Sequence, residues 1–386
     1  MDKNSVISKN NIKNKLNNTI KNNEEINRDT IFEAEEISFK NFPSENIDYD
    51  DFGFLKKYNK NKKNNKILND NEIIKLSEQS NERLIKWTIM LKNFEEYKRK
   101  NFSKLKSRVR KGIPDCMRSK AWPILANINK LRKKGVYENL LISLKEEKTV
   151  NSEDEDIIIR DLHRTFPKHY LFMEKLGEGQ RALFRVLTCY SKYNKTTGYV
   201  QGMGFSSALF LTYMNEENSF WMLHSLMKNY GMEGFFMKGF PELRKTLYVF
   251  LNLLKKCLPK CFNLLKKYQV YPTMFASEWF ITFYSCVFDF NILVRIFDCI
   301  FLEGFKIIYR IALAIFKINQ DELLKKQSFE NIMDFLKDFS KNIDKNELLK
   351  ECFKISFSRK DINKYEQLYN DNKNLKKDEI MKLVNF

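Results

Sequence analysis

Apolar residues recur along most of this 386-residue chain at helical spacing. Leu84, Trp87, Met90, Leu91, Phe94 and Tyr97 set the pattern, continuing a weaker one that begins at Ile73, Ile74 and Leu76. Residues 178–193 and 203–214 read as two further helices, the second starting just after Gly202. Asn218 or Ser219 is expected to cap the helix that holds Phe220, Trp221 and Leu223, because a short polar side chain accepts from first-turn N–H groups. Trp279, Phe280, Phe283, Tyr284, Val287 and Phe288 follow as a wide apolar stripe, read as one helix face. Ile332, Phe335, Leu336 and Phe339 make another face, and Asp344 with Glu347 resembles a capping box for the helix after it. No segment alternates Val, Ile and Thr in strand fashion, and no fixed-period repeat is evident. The pattern predicts an all-α domain over about 71–360 with a helical tail at 361–386.

Residues 1–70 break the pattern. Asn, Lys and acids dominate and apolar positions are sparse, so a disordered extension is expected there. The exception is IDYDDFGFL at 47–55, which has the aromatic content to dock onto the folded part. The only other broad feature is charge, +19 at pH 7. Lys is scattered beside Asn and Ile, which resembles codon bias more than a phosphate-binding face, and no nucleic-acid-binding motif accompanies it. A specific nucleic-acid partner is therefore not expected, although weak peripheral contact of the Lys-containing N-terminal segment with anionic membrane is. The polar start, MDKNSVISKN, lacks a signal-peptide core, and Asp289, Arg295, Asp298, Glu303 and Lys306 interrupt the most apolar region. A cytoplasmic protein, recruited peripherally to endomembranes if at all, is expected.

Metal and self-contained hydrolytic chemistry are poorly supplied. The seven Cys are dispersed, the Cys257/Cys261 pair has no second pair beside it, and the only His are His163, His169 and His224. Phosphate-loop, dinucleotide, serine-hydrolase and zincin motifs are all absent. Catalysis, if present, is expected to be supplied to another protein's active site.

Three segments carry polar groups in unusual settings. In RVRKGIPDCMRSKAW, a helix starting at or after Pro114 places Arg118 and Trp122 on one face. In IIIRDLHRTFPKHY, Ile158, Asp161 and Arg164 share a helical face, and Pro167 disfavours helix at Phe166, which puts Arg164 near a helix end. In TTGYVQGMGF, Gln201 sits in a glycine-rich turn before an apolar helix. Singly, each has an ordinary reading: a surface ion pair for Arg164, a turn residue for Gln201, packing for Tyr199 and Met203.

In order, these segments resemble the motifs of TBC-domain Rab GTPase-activating proteins. Arg118 and Trp122 match the opening motif; Ile158, Asp161 and Arg164 match I-x-x-D-x-x-R; Tyr199, Gln201, Gly202 and Met203 match Y-x-Q-G-M. RLIKWTIML resembles the family's lead-in helix, and EWFITFYS and RIFDCIFLEGFKIIYRIALAIF its later ones. The resemblance covers about 80–360. It implies a two-lobed all-helical fold and a dual-finger mechanism on a GTP-bound Rab-family GTPase in vesicle trafficking. Arg164 would be the arginine finger and Gln201 would position the attacking water. Asp161 would orient the Arg164 segment, and Arg118, Trp122, Tyr199 and Gly202 would support the motifs. No cofactor of the chain's own is implied, since Mg²⁺ and GTP would arrive with the GTPase. Val200, Gly204 and Phe297 depart from the family's usual Cys, Asn and Trp. The alternative reading is a non-catalytic TBC scaffold that binds a small GTPase or a trafficking partner.

Overall fold

Nineteen α-helices, read from a computed structural model, account for the regular structure among the described residues, which are 49–55, 70–146, 153–339 and 343–371. There is no strand among them, only two isolated bridges, so the all-α expectation holds. The entry helices are α1 (Asp70–Lys92), α2 (Phe94–Lys100), α3 (Phe102–Lys111) and α4 (Arg118–Leu125), the last preceded by a 3-10 turn at Asp115–Met117. A first group packs mutually: α5 (Val136–Glu146), α6 (Glu153–Leu162), α7 (Glu178–Tyr193), α8 (Met203–Leu211) and α9 (Glu216–Asn229). The second begins with α10 (Glu233–Phe236), α11 (Pro241–Cys257), α12 (Pro259–Lys267) and α13 (Ser277–Ile281). After α14 (Phe290–Glu303) it resumes with α15 (Lys306–Ile318), α16 (Gln320–Leu324), α17 (Phe329–Asp338), α18 (Lys345–Lys354) and α19 (Arg359–Asp371). Helix α19 lies along α11 with Ile362 and Tyr369 buried. The part of the expected tail beyond it, 372–386, lies outside the described residues.

Helix α14 is the strut between the groups. It packs on α3, α4 and α15, and its Phe297 and Phe301 rings meet Phe210 of α8 and Trp122 of α4. At its centre Asp298 is fully buried. Its carboxylate accepts from Arg118 Nε at 3.1 Å, Arg118 Nη2 at 3.2 Å, Trp122 Nε1 at 2.8 Å and the Ile113 amide at 3.0 Å. Burial opposes the charge on Arg118, but the facing Asp298 carboxylate more than offsets it and raises the guanidinium pKa. One turn on, Glu303 accepts a bidentate pair from Arg110 at 2.6 and 2.7 Å. The helix face carrying Arg118 and Trp122 thus meets one buried acid, and Arg118 Nη1 also pairs with the exposed Asp115 at 2.5 Å.

Several expected elements are shaped differently. The stripe from Trp279 to Phe288 is not one helix: α13 stops at Ile281, and Phe283 and Tyr284 take left-handed φ of 48° and 66°. All its aromatic members are nevertheless buried, and Tyr284 Oη donates to the Ile308 carbonyl at 2.8 Å. Packing from several sides overrides local helix preference there. The cap of α9 is Asn215, which accepts from the Asn218 amide, in place of Asn218 or Ser219. Helix α8 ends at Leu211, before the expected 214. Asp344 does cap α18, accepting from the Asn346 and Glu347 amides at 2.9 Å.

The expected disorder of residues 1–70 falls on positions outside the described residues, apart from 49–55 and Asp70. Residues 49–55 form a small hairpin on the folded part, as their aromatic content predicted. Tyr49 bridges to Leu55 and Phe54 to His169. Asp50 Oδ1 accepts from the Phe52 and Phe54 amides at 2.9 Å and closes the turn. His169 is buried beneath it, and its Nδ1 accepts from the Leu171 amide at 3.1 Å. Burial pulls the His169 pKa down to about 4.

Two outcomes follow from these networks. Asp298→Ala leaves the buried Arg118 only its exposed partner Asp115 and strips the acceptor from Trp122 Nε1 and the Ile113 amide, so unfolding free energy should fall by about 3–5 kcal/mol, read from the urea midpoint. His169 stays neutral in the fold while the unfolded chain gains a proton below its ordinary pKa of 6.5. Stability should therefore fall as pH drops from 6.5 towards about 4, by about 2 kcal/mol at pH 5. Urea titrations at pH 7 and pH 5 check this, and His169→Gln should lose that share of the pH dependence.

Candidate functional site

The second and third motifs meet at one surface. Helix α6 ends at Leu162, and the chain leaves through a turn in which the Arg164 amide bonds the Asp161 carbonyl. Phe166, ahead of Pro167, is barred from continuing the helix and takes φ 45°. Arg164 is therefore carried just past a helix end with its side chain 42% exposed. Gln201 stands two residues before α8, followed by the N-cap Gly202 at φ 107°. A Cβ on Gly202 would be strained by that φ and would stand 3.3 Å from Ile281 Cγ2, so the turn is held close against the second group of helices.

Asp161 joins the two segments. Its side chain is nearly buried, with Oδ1 receiving Arg164 Nη2 at 2.6 Å and Oδ2 receiving the Tyr199 hydroxyl at 2.6 Å. Burial first, and then the facing carboxylate, push the Tyr199 phenol pKa far up, so Tyr199 remains a donor. The Gln201 carboxamide, oriented to satisfy its neighbours, accepts through Oε1 from both terminal nitrogens of Arg164 at 2.6 Å. Arg164 and Gln201 are both exposed and line a concave pocket of ≈ 500 Å³ with Ile157, Arg160, Asp161, Tyr199 and Val200. A permanent cation and a carboxamide thus stand side by side, facing solvent, on a braced floor. Such a pair donates several hydrogen bonds to phosphate oxygens and accepts one from water.

Further residues support this frame, and one of them, Asp154, was not singled out in the sequence. Asp154, in the first turn of α6, accepts from the Tyr199 amide at 2.8 Å and from the Ser191 hydroxyl, and its carboxylate fills the space a Gly198 Cβ would need. The acidic run EDED, in which it lies, reads as ordinary helix-start charge, so no sequence signal marked it. Thr165 donates to the Asp161 carbonyl at 2.7 Å. A Cβ on Gly204 would lie 3.3 Å from both the Thr165 hydroxyl oxygen and Tyr199 Oη, so a small residue at that departure from the family pattern lets the segments close. Phe205 packs on Phe166 at 5.8 Å.

Of the sequence candidates, Asp161, Arg164, Tyr199, Gln201 and Gly202 come together. Arg118 and Trp122 belong to the buried Asp298 network instead, reaching the Arg164 corner only through packed rings: Arg118 on Tyr213, Tyr213 on Phe290, Phe290 on Phe166. Among the described residues no group of His, Cys, Asp or Glu is placed to hold a metal ion, and no helix is long and apolar enough to cross a membrane.

The model of the Rab-GTPase-TBC domain matches residues 115–324. The human Ecotropic viral integration site 5 protein homolog is 30% identical over 296 residues, which are 76% of this chain and 36% of that protein. TBC1 domain family member whacked of Drosophila melanogaster is 34% identical over 232 residues, 60% of this chain and 62% of that one. The chain thus spans between about a third and three fifths of these relatives' length. Its fold resembles the Chlamydomonas flagellar RabGAP TBC domain, with a TM-score of 0.59 at 24% identity, covering 79% of this chain and 99% of that one. With more than half of its length matched by that domain and the domain's helical fold reproduced, this chain belongs to the RabGAP-TBC family.

Proposed function

We propose that this chain accelerates GTP hydrolysis by a Rab-family small GTPase in its GTP-bound form, with Arg164 and Gln201 as the two fingers. The observation that carries the reading is their convergence: two side chains 37 positions apart in sequence touch on one exposed concave surface. Hydrolysis of a phosphoanhydride builds charge on the transferred phosphoryl oxygens and needs a water in line with the bond that breaks. The Arg164 guanidinium supplies fixed positive charge and paired donors to those oxygens. The Gln201 carboxamide accepts from the water through its oxygen and donates to phosphate through its nitrogen. Asp161, anchored by Tyr199, holds the guanidinium to one side and lowers the entropy lost on engagement. Mg²⁺ and the nucleotide belong to the GTPase.

The setting is membrane trafficking, with the chain acting from the cytoplasm on a membrane-bound GTPase. Its +19 charge favours peripheral contact with anionic lipid. Almost all of that charge lies after residue 70, since residues 1–70 hold 13 Lys and Arg against 12 Asp and Glu.

Single-turnover hydrolysis across a panel of GTP-loaded Rabs tests the reading. Arg164→Ala should remove about 10³-fold or more of the acceleration on the preferred Rab while the fold is retained, with some loss of thermal stability because Asp161 gives up one partner. Full activity in that variant discards the arginine finger, and a chain inert on every Rab favours a scaffold. Tyr199→Phe strips Asp161 of a buried donor. It should cost about 1–3 kcal/mol of stability, read by urea unfolding, and slow hydrolysis less than Arg164→Ala does.

A further inference from the structure

Phe166 lies two residues beyond Arg164, buried in a left-handed conformation. Its ring sits between Phe205 at 5.8 Å, Phe290 at 5.6 Å and Phe54 at 5.8 Å. Phe205 belongs to the first turn of α8, directly after the Gln201 turn. One ring therefore touches the segment that bears Arg164 and the segment that follows Gln201. Phe54 comes from the hairpin at 49–55, well before the matched domain at 115–324.

The hairpin grips this corner through its backbone too. The Leu55 amide donates to the Lys168 carbonyl at 3.0 Å, and the Tyr170 amide donates to the Gly53 carbonyl at 2.9 Å. Phe54 also packs on His169 at 4.8 Å and Phe290 at 5.1 Å. Gly53 lies flat on Tyr170 with φ 85°; a Cβ there would stand 2.4 Å from the ring and 3.1 Å from His169 Nε2. The contact surface is shaped for a glycine at that point. The strained φ at Phe166 needs surrounding contacts to hold it, and the hairpin supplies one side of them.

We propose that residues 49–55 are a clamp that fixes Arg164 relative to Gln201, with Phe54 a positioning residue for GTP hydrolysis. The proposal rests on the two-finger reading above. Releasing the clamp lets the Phe166 corner relax, so the guanidinium samples positions away from the reacting phosphate. A displacement near 1 Å costs about 10²-fold in a positioned reaction. The GTPase-binding surface is left in place, so the loss appears in turnover and not in half-saturation. Anything that captures residues 49–55 would slow hydrolysis without touching the fingers.

The 386-residue chain carrying Gly53→Ala, and separately Phe54→Ala, tests this against the Rab on which the unaltered chain is most active. Amide hydrogen exchange at Leu55 and Tyr170 reports release directly and independently of activity. Both variants should raise that exchange, lower kcat about 10-fold to 100-fold and leave KM within about twofold, and Phe54→Leu should recover part of the rate. Raised exchange with unaltered kcat overturns the clamp, as does a loss confined to KM. Unchanged exchange in both variants overturns the docking on which it depends. Arg164→Ala run alongside separates the two readings. If that variant is fully active the finger mechanism falls and the clamp with it, whereas an inactive Arg164→Ala beside active, released clamp variants sinks the clamp alone.

Discussion

A single carboxylate with two oxygens sets the geometry of the site. Asp161 gives one oxygen to Arg164 and the other to Tyr199, and so ties the end of α6 to the turn before α8. Being nearly buried, it would be costly to leave half-satisfied. Everything nearby conforms to it: Thr165 closes on its carbonyl, Asp154 seats the Tyr199 amide, and Gly204 leaves room for both hydroxyls. Arg164 is the only member of the set that is both charged and largely open to solvent beside Gln201.

The two motif arginines have opposite fates, and the contrast separates frame from chemistry. Arg118 is buried with its charge shared between Asp298 and Asp115, where it joins the entry helices to the α14 strut. Arg164 keeps part of its hydrogen-bonding capacity at the surface. The first arrangement makes a rigid joint whose loss is felt in folding; the second leaves a cation available to an incoming anion. The stack from Tyr213 through Phe290 to Phe166 connects joint and corner by packing alone.

Much of this was legible in the sequence. Helix α7 runs over Glu178–Tyr193, as its periodicity indicated, because its apolar spacing is long and regular. The break at Phe166 was readable from Pro167, though not that the residue would turn left-handed. Residues 279–288 misled because periodicity cannot separate a helix face from a turn whose rings are buried on several sides. Each half of the site was visible as a motif. Their adjacency rests on a tertiary hydrogen bond between Asp161 and Tyr199, 38 positions apart, which no local spacing encodes. Asp154 was invisible, since a carboxylate in an acidic first turn looks the same whether solvated or bonded to a distant amide.

Before any partner arrives, the guanidinium of Arg164 and the carboxamide of Gln201 already satisfy one another. That mutual bond is a toll at the entrance. An incoming anion must break that bond before the guanidinium can turn its donors towards it. The free site is thus self-satisfied, and whatever engages Arg164 has to offer acceptors that replace Gln201 Oε1.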